Sequence, residues 1–104
     1  MQNYKVFFSR AAYEDLEEIY RYVKEKSHDF KKAKEIYERI IEQTSKLEYF
    51  PKKHPVIQIN STPYSNIRMF VIDNYVAFYT IDEEEYKVRV ERIFHSGVNW
   101  VTKL

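Results

Sequence analysis

The spacing of apolar residues changes once along this 104-residue chain, close to Pro51. Between residues 10 and 50, apolar side chains recur every three or four positions, as in helices that bury one face. Beyond Pro51 the apolar residues are mostly β-branched or aromatic and fall in short runs, as in strands. Because helices that are segregated from consecutive strands pack as one layer on a sheet, this order predicts a two-layer α+β domain.

The first half of the chain carries clear signals for where its elements begin and end. Residues 4–8 are rich in β-branched and aromatic side chains and predict an opening strand. Ser9 and Asp29 are suited to cap the N-termini of two successive helices, with a connection near residues 26–28. Pro51 is predicted to end the second helix, since proline cannot continue one.

The second half predicts strands joined by hairpins. The strand-like runs are residues 66–72, 75–81 and 87–94, with residues 56–59 as a further short candidate. Asp73-Asn74 tolerates positive φ and predicts a tight hairpin, and the acidic run at residues 82–85 predicts a second turn. The predicted fold is an N-terminal strand and a helical hairpin on a three- or four-stranded antiparallel sheet, in one domain spanning residues 1–104.

Composition excludes several kinds of chemistry. The chain has no cysteine, so disulfides and thiolate metal sites are ruled out, and one glycine cannot form a glycine-rich phosphate loop. No histidine and carboxylate set has metal-ligand spacing, so we expect neither a metal nor a cofactor. The N-terminus does not resemble a signal peptide, and no run approaches the ~20 apolar residues of a membrane span. We therefore expect a cytoplasmic protein that makes no membrane contact.

The charge distribution leaves two interpretations open. Net charge is +1, but residues 51–104 hold seven basic and six acidic side chains, four of the acids at residues 82–85. If that acidic turn points away from the domain, a basic face that can hold phosphates remains. Its members would be Lys52, Lys53, Arg68, Arg89 and Arg92. Alternatively, these charges are scattered and solvated.

Several landmarks occur in an order that is similar to one known family. They are the opening strand followed by Ser9, a helix with Ala12 and Asp15-Leu16-x-x-Ile19, a second helix with Ala33, Leu47…Pro51, Arg68, Tyr75…Tyr79, and the ending Val90-x-Arg92-Ile93-Phe94-His95-x-Gly97-x-x-Trp100. Together they resemble the RelE/ParE toxins of type II toxin–antitoxin systems. The resemblance implies a toxin neutralised by a cognate antitoxin. It also implies one of two main activities, ribosome-dependent mRNA cleavage or DNA gyrase inhibition.

Metal-independent RNA cleavage needs a base for the 2′-hydroxyl, a cation for the phosphate and an acid for the leaving oxygen. Arg68 should point opposite to Ile67 and Met69 in its strand, and the resemblance implies that it stabilises the phosphate. A salt bridge to a partner is the alternative. His95 resembles a position where some family nucleases hold their acid or base, although it could instead bond the backbone at the strand end.

His54 lies in Lys52-Lys53-His54-Pro55, the segment where the family's nucleases place part of their catalytic and RNA-binding set. It is a second candidate acid or base, or else an exposed loop residue. We expect Lys52, Lys53, Arg89, Arg92 and Tyr79 to bind RNA. Alternation along the strand should place Arg89 on the face of Ile93 and His95. Arg92 could equally be structural, and Tyr79 could pack across strands instead of stacking on a base.

The leading functional hypothesis is an mRNA endonuclease acting in the ribosomal A site, with Arg68, His95 and His54 as its catalytic residues. The alternative is a gyrase inhibitor with no catalysis of its own, which the low net charge favours. A third possibility is a degenerate, inactive family member. In either active case we expect a cognate antitoxin whose extended or helical segment covers the sheet or the helical hairpin.

Overall fold

The computed structural model describes residues 3–58 and 63–104. Two helices lie against one face of a four-stranded sheet, as the sequence predicts. The elements in chain order are β1 (Lys5–Phe8), α1 (Arg10–Ser27), α2 (Phe30–Ser45), β2 (Arg68–Ile72), β3 (Tyr75–Asp82) and β4 (Lys87–His95). Short 3₁₀ helices span Lys46–Glu48, Pro51–Lys53 and Trp100–Thr102. No helix in the described part of the chain is long and apolar enough to cross a membrane.

Both helices begin at the predicted capping residues. The Ser9 hydroxyl accepts a hydrogen bond from the amide of Ala12 at 3.0 Å, and Asp29 Oδ1 accepts from the amides of Lys31 and Lys32. These bonds satisfy amides that have no partner within the helix. α1 ends where His28 adopts a left-handed conformation, φ 53°.

The prediction that Pro51 ends the second helix is wrong, because α2 ends at Ser45. A 3₁₀ turn follows, and its Leu47 is buried against Tyr79 and Val88 of the sheet. This anchoring turns the chain toward the sheet before the proline is reached. Pro51 instead begins the second 3₁₀ helix, where its missing amide hydrogen costs nothing.

The strand order is β1-β4-β3-β2, and β2, β3 and β4 form the predicted antiparallel hairpins. β1 pairs parallel with β4, so the sheet is mixed rather than wholly antiparallel. Parallel pairing is possible because the whole helical layer connects β1 to the hairpins. Asp73 makes the tight turn with φ 54°. The candidate strand at residues 56–59 reduces to a single bridge between Val56 and Arg68, and Ile59 lies outside the described residues.

A β-bulge at Glu91 rotates the second half of β4. Phe78 pairs with Arg92 and Tyr79 pairs with Val90, so Glu91 is the extra residue. Before the bulge Val90 faces the helices, and after it Ile93 does, since both belong to the helix-side core. The prediction that Arg89 shares a face with Ile93 and His95 is therefore wrong, because simple alternation fails across a bulge.

Each face of the sheet carries its own apolar cluster. Toward the helices, Ala12 and Leu16 pack with Ile40, Val90 and Ile93. On the opposite face, the cluster of Ile67, Val76, Phe78 and Phe94 is covered partly by the C-terminal tail. There the Trp100 ring lies 5.0 Å from the Phe78 ring. Burial on both faces fixes β3 as the most enclosed strand.

Candidate functional site

Arg68 lies at the start of β2 and is held by the segment around Pro51–Lys53, which follows the helices. Its Nη1 donates hydrogen bonds to the carbonyl oxygens of His54, at 2.6 Å, and Lys52, at 3.2 Å. The guanidinium therefore stabilises a connecting segment of its own chain. Only the part of its fork that is not used in these bonds could meet a phosphate.

Tyr79 lies directly across from Arg68 in the sheet. Its side chain is fully buried, and its hydroxyl donates to the Pro51 carbonyl oxygen at 2.5 Å. Burial raises the pKa of this phenol to about 12. A base cannot stack on a ring with no exposed face, so Tyr79 has the packing role that was the alternative to RNA binding.

His54 completes this cluster. Its ring stacks on Phe70, with ring centroids 4.0 Å apart, and meets the edge of Tyr79 at 6.3 Å. Burial, and secondarily the nearby charge of Lys53, lower the pKa of this imidazole below 6.5. A neutral imidazole is the form that can accept a proton. His54 is thus chemically suited to act as a base next to Arg68.

His95 lies apart from that cluster. It pairs with Tyr75, whereas Arg68 pairs with Tyr79, so four residues of β3 separate the two positions, or about 13 Å along the strand. The Nδ1 atom of His95 accepts a hydrogen bond from the amide of Gly97 at 3.1 Å, as in the backbone-bonding alternative. Arg68 and His95 therefore do not form one catalytic set in this structure.

Most of the predicted RNA-binding cations already have partners. Lys52 forms a salt bridge with Glu83, so the acidic turn folds onto the basic segment instead of pointing away from it. Arg89 pairs with the buried carboxylate of Glu91 at 3.5 Å. Lys53 has no ion pair among residues 3–58 and 63–104.

Arg92 is the most firmly held of these cations, since both its Nε and its Nη2 donate to Asp15. Its hydrogen bond with Asp15 is the main cause that raises the pKa of the guanidinium. Because the acidic turn contacts Lys52, and Arg68 and Arg89 are also engaged, the condition for the open basic face, one of the two interpretations of the charge distribution, is not met.

Two other features were missed at the sequence level. A cleft of about 560 Å³ lies between α1 and the end of β4, and its walls include Ile19, Tyr22, Tyr75 and His95. Phe50 is 61% exposed beside the Arg68 cluster. In the sequence, Phe50 lies between Tyr49 and the run Pro51-Lys52-Lys53. A pair of aromatic residues next to a proline and two lysines, outside any helix or strand pattern, was the signal that could have indicated an exposed phenylalanine. The described residues contain no group of three or more histidines and carboxylates that could hold a metal.

Comparison with known proteins identifies the family. Residues 6–100 match the model described as the ParE toxin of the type II toxin–antitoxin system, parDE. The chain therefore belongs to the ParE toxin family, which lies within the RelE/ParE group that the sequence landmarks indicate. No curated protein matches the chain.

Solved structures share the fold at low sequence identity. The chromosomal ParDE system of P. aeruginosa matches with a TM-score of 0.71 and 17% identity, over 88% of this chain and 95% of that one. The RelBE2 toxin–antitoxin complex of Mycobacterium tuberculosis gives 0.69 and 20%, over 91% and 93%. The archaeal RelE–RelB complex of Pyrococcus horikoshii gives 0.59 and 19%, over 92% and 98%. These likenesses confirm the predicted α+β fold class.

Proposed function

We propose that this ParE-family toxin acts by binding DNA gyrase, without cutting RNA. The observation that carries the proposal is the separation of Arg68 from His95 by about 13 Å along the sheet. General acid–base cleavage requires its groups within hydrogen-bond reach of one scissile phosphate. A toxin that acts by binding needs a surface with a fixed conformation instead. In this chain, hydrogen bonds from Arg68 and Tyr79 fix the surface segment around Pro51.

The use of the cations supports the same proposal. Arg68 is bonded to backbone carbonyls, Arg92 to Asp15 and Lys52 to Glu83. Removing a cation from such a partner to engage RNA would forfeit the existing hydrogen bonds. A net charge of +1 also offers little long-range attraction for a polyanion.

A cognate antitoxin belongs to this proposal. The similar structures are those of a ParDE system, a RelBE2 complex and a RelE–RelB complex, so toxins of this fold are found with antitoxins. We expect an antitoxin segment to cover the helical hairpin. Exposed aromatic side chains lie there, at Tyr13, Tyr22 and Phe30.

Purified toxin tests the proposal directly in a DNA supercoiling assay with gyrase. We expect inhibition that added antitoxin reverses, and in cells we expect DNA breaks and an SOS response that a resistant gyrase abolishes. Full supercoiling activity at a large molar excess of toxin would contradict the proposal. Harmless expression without antitoxin would favour an inactive family member.

The second candidate is the mRNA endonuclease of the ribosomal A site, and one observation favours it. The Arg68 Nη1 donates to the backbone carbonyl of His54 at 2.6 Å, and the His54 ring meets the edge of Tyr79, the residue opposite Arg68 in the sheet. Mapping transcript ends after toxin expression separates the two candidates. New ends that disappear in Arg68→Ala and His54→Ala, and persist in His95→Ala, would establish cleavage at this cluster. Intact transcripts during growth arrest would exclude it.

A further inference from the structure

Residues 49–54, here called the docking segment, are fixed from inside the protein. The Tyr79 hydroxyl donates to the Pro51 carbonyl, and the Arg68 guanidinium donates to the carbonyls of Lys52 and His54. Three carbonyl groups of the segment thus point inward to buried or half-buried donors. A surface segment held in this way loses little conformational entropy when a partner binds.

The docking segment exposes two aromatic and two basic side chains to solvent. Phe50 is 61% exposed and Tyr49 is 51% exposed, and both Lys52 and Lys53 are exposed. An exposed phenylalanine on a rigid backbone contributes little to the core. Aromatic side chains, phenylalanine included, are however enriched in protein interfaces relative to the rest of the surface.

We infer that the docking segment is the surface through which the toxin engages the protein that it inhibits. Phe50 is the anchor and enters an apolar pocket of the target, while Lys53 pairs with a carboxylate at the edge of that pocket. This inference rests on the proposed function, since it assigns the surface that binds gyrase.

Local charge favours a protein over a nucleic acid at this surface. The docking segment contacts the acidic turn at residues 82–85, which carries four carboxylates and pairs with Lys52 through Glu83. A phosphate backbone carries a negative charge at every nucleotide, so the acidic turn would repel it more strongly than a protein surface with a single carboxylate. Lys53, which has no ion pair within residues 3–58 and 63–104, is the cation that a single carboxylate of a protein partner can pair with.

Position favours the target over the antitoxin. A toxin of this kind has two protein partners, and the described surface carries a second aromatic group on the helical hairpin, which includes Phe30. α2 separates Phe30 from the docking segment by its full length of 16 residues, or about 24 Å. The antitoxin is expected on the hairpin, so the docking segment is available for the target.

Two matched pairs of variants test this assignment. Phe50→Ala is compared with Phe30→Ala, since both side chains are more than half exposed, and Lys53→Glu is compared with Lys24→Glu on α1. Each full-length variant is measured for thermal stability, antitoxin affinity, gyrase inhibition and growth arrest. We expect Phe50→Ala to weaken gyrase inhibition by about tenfold or more, with stability and antitoxin affinity unchanged. Lys53→Glu should weaken inhibition as well, whereas Phe30→Ala and Lys24→Glu should retain it.

The other outcomes overturn the inference in distinguishable ways. If Phe50→Ala inhibits gyrase as well as wild type, or loses only antitoxin affinity, the docking segment is not the target surface. Binding of a single-stranded oligonucleotide (rU or dT) that is lost in Phe50→Ala would assign the surface to RNA or DNA instead. If wild-type toxin does not inhibit gyrase, the proposed function fails. In that case growth arrest tests whether the docking segment binds some other target. If Phe50→Ala arrests growth as strongly as wild type, the docking segment is not the target-binding surface.

Discussion

Asp15 on α1 holds Arg92 on β4 through two hydrogen bonds, Nε to Oδ2 at 2.8 Å and Nη2 to Oδ1 at 3.0 Å. Asp15 Oδ2 also accepts the amide of Ile93 at 3.0 Å, and Arg92 Nη1 donates to the Lys103 carbonyl at 3.2 Å. β1 pairs with β4 only as far as Phe8, so the carboxylate bonds a strand edge that β1 does not reach. One ion pair thereby joins the helical layer, the sheet and the C-terminal tail.

Asp15→Asn should lower the free energy of unfolding by about 2–3 kcal/mol, because it leaves a half-buried guanidinium without its counter-charge. Urea denaturation followed by circular dichroism measures the change. Glu14→Gln is the matched control. Glu14 and Arg10 form an exposed ion pair on the same helix, and loss of that pair should leave the free energy of unfolding unchanged. Equal effects of the two substitutions would contradict this account of the Asp15–Arg92 pair.

Ser9→Ala should cost more than the loss of an ordinary helix cap. The Ser9 hydroxyl accepts from the Ala12 amide and also donates to the carbonyl of Glu91, the bulged residue, at 2.8 Å. Loss of both bonds in a buried site should lower the free energy of unfolding by about 2–3 kcal/mol. Asp29→Ala, which removes an exposed cap, should cost about 1 kcal/mol. Similar losses in chemical denaturation would show that the Glu91 bond contributes nothing.

Local signals were sufficient to predict most of the fold. Ser9 and Asp29 cap the helices, and Asp73-Asn74 turns the chain, because each acts on its immediate neighbours. The bulge at Glu91 has no such signal, since neither glycine nor proline lies near it. It depends on pairing with β3 and on the hydroxyl of Ser9, and a sequence pattern shows neither contact.

The candidate site was harder to predict for the same reason. The sequence indicated which side chains could carry chemistry, but each partner comes from a distant part of the chain. Arg68 bonds carbonyls 14 and 16 residues before it, and Arg92 bonds a carboxylate 77 residues away. Whether an arginine is free for a phosphate depends on these tertiary contacts, so charge and alternation alone could not decide it.

Tyr79→Phe should lower the free energy of unfolding by about 1–2 kcal/mol, because the Pro51 carbonyl loses its buried donor. It should also weaken target inhibition if a fixed docking segment is required. Tyr22→Phe, at an exposed side chain on α1 outside the docking segment, is the control and should change neither property. Wild-type inhibition by a destabilised Tyr79→Phe would show that the hydroxyl serves folding alone.

Tyr79 also predicts a loss of stability at high pH. Its pKa is raised from 10.0 to about 12, so the unfolded chain releases this proton first as the pH rises. The contribution is fully present below pH 10.0 and is lost progressively as the pH rises through about 12. Tyr79→Phe should therefore lose less stability than wild type over this interval in denaturant titrations. Parallel pH curves for the two proteins would contradict the assignment.

His54 should make the protein less stable in mild acid. Its pKa is lowered below 6.5 in the folded protein, first by burial and then by Lys53, so the unfolded chain binds the proton more readily. The contribution of His54 is present above 6.5 and is lost as the pH falls through the lower, folded value. The free energy of unfolding at about pH 7.5 and about pH 5.5 should differ less in His54→Gln than in wild type. His28→Gln, at an exposed position between the helices, should keep the wild-type difference. If His54→Gln keeps it as well, the imidazole stacked on Phe70 is not the group responsible.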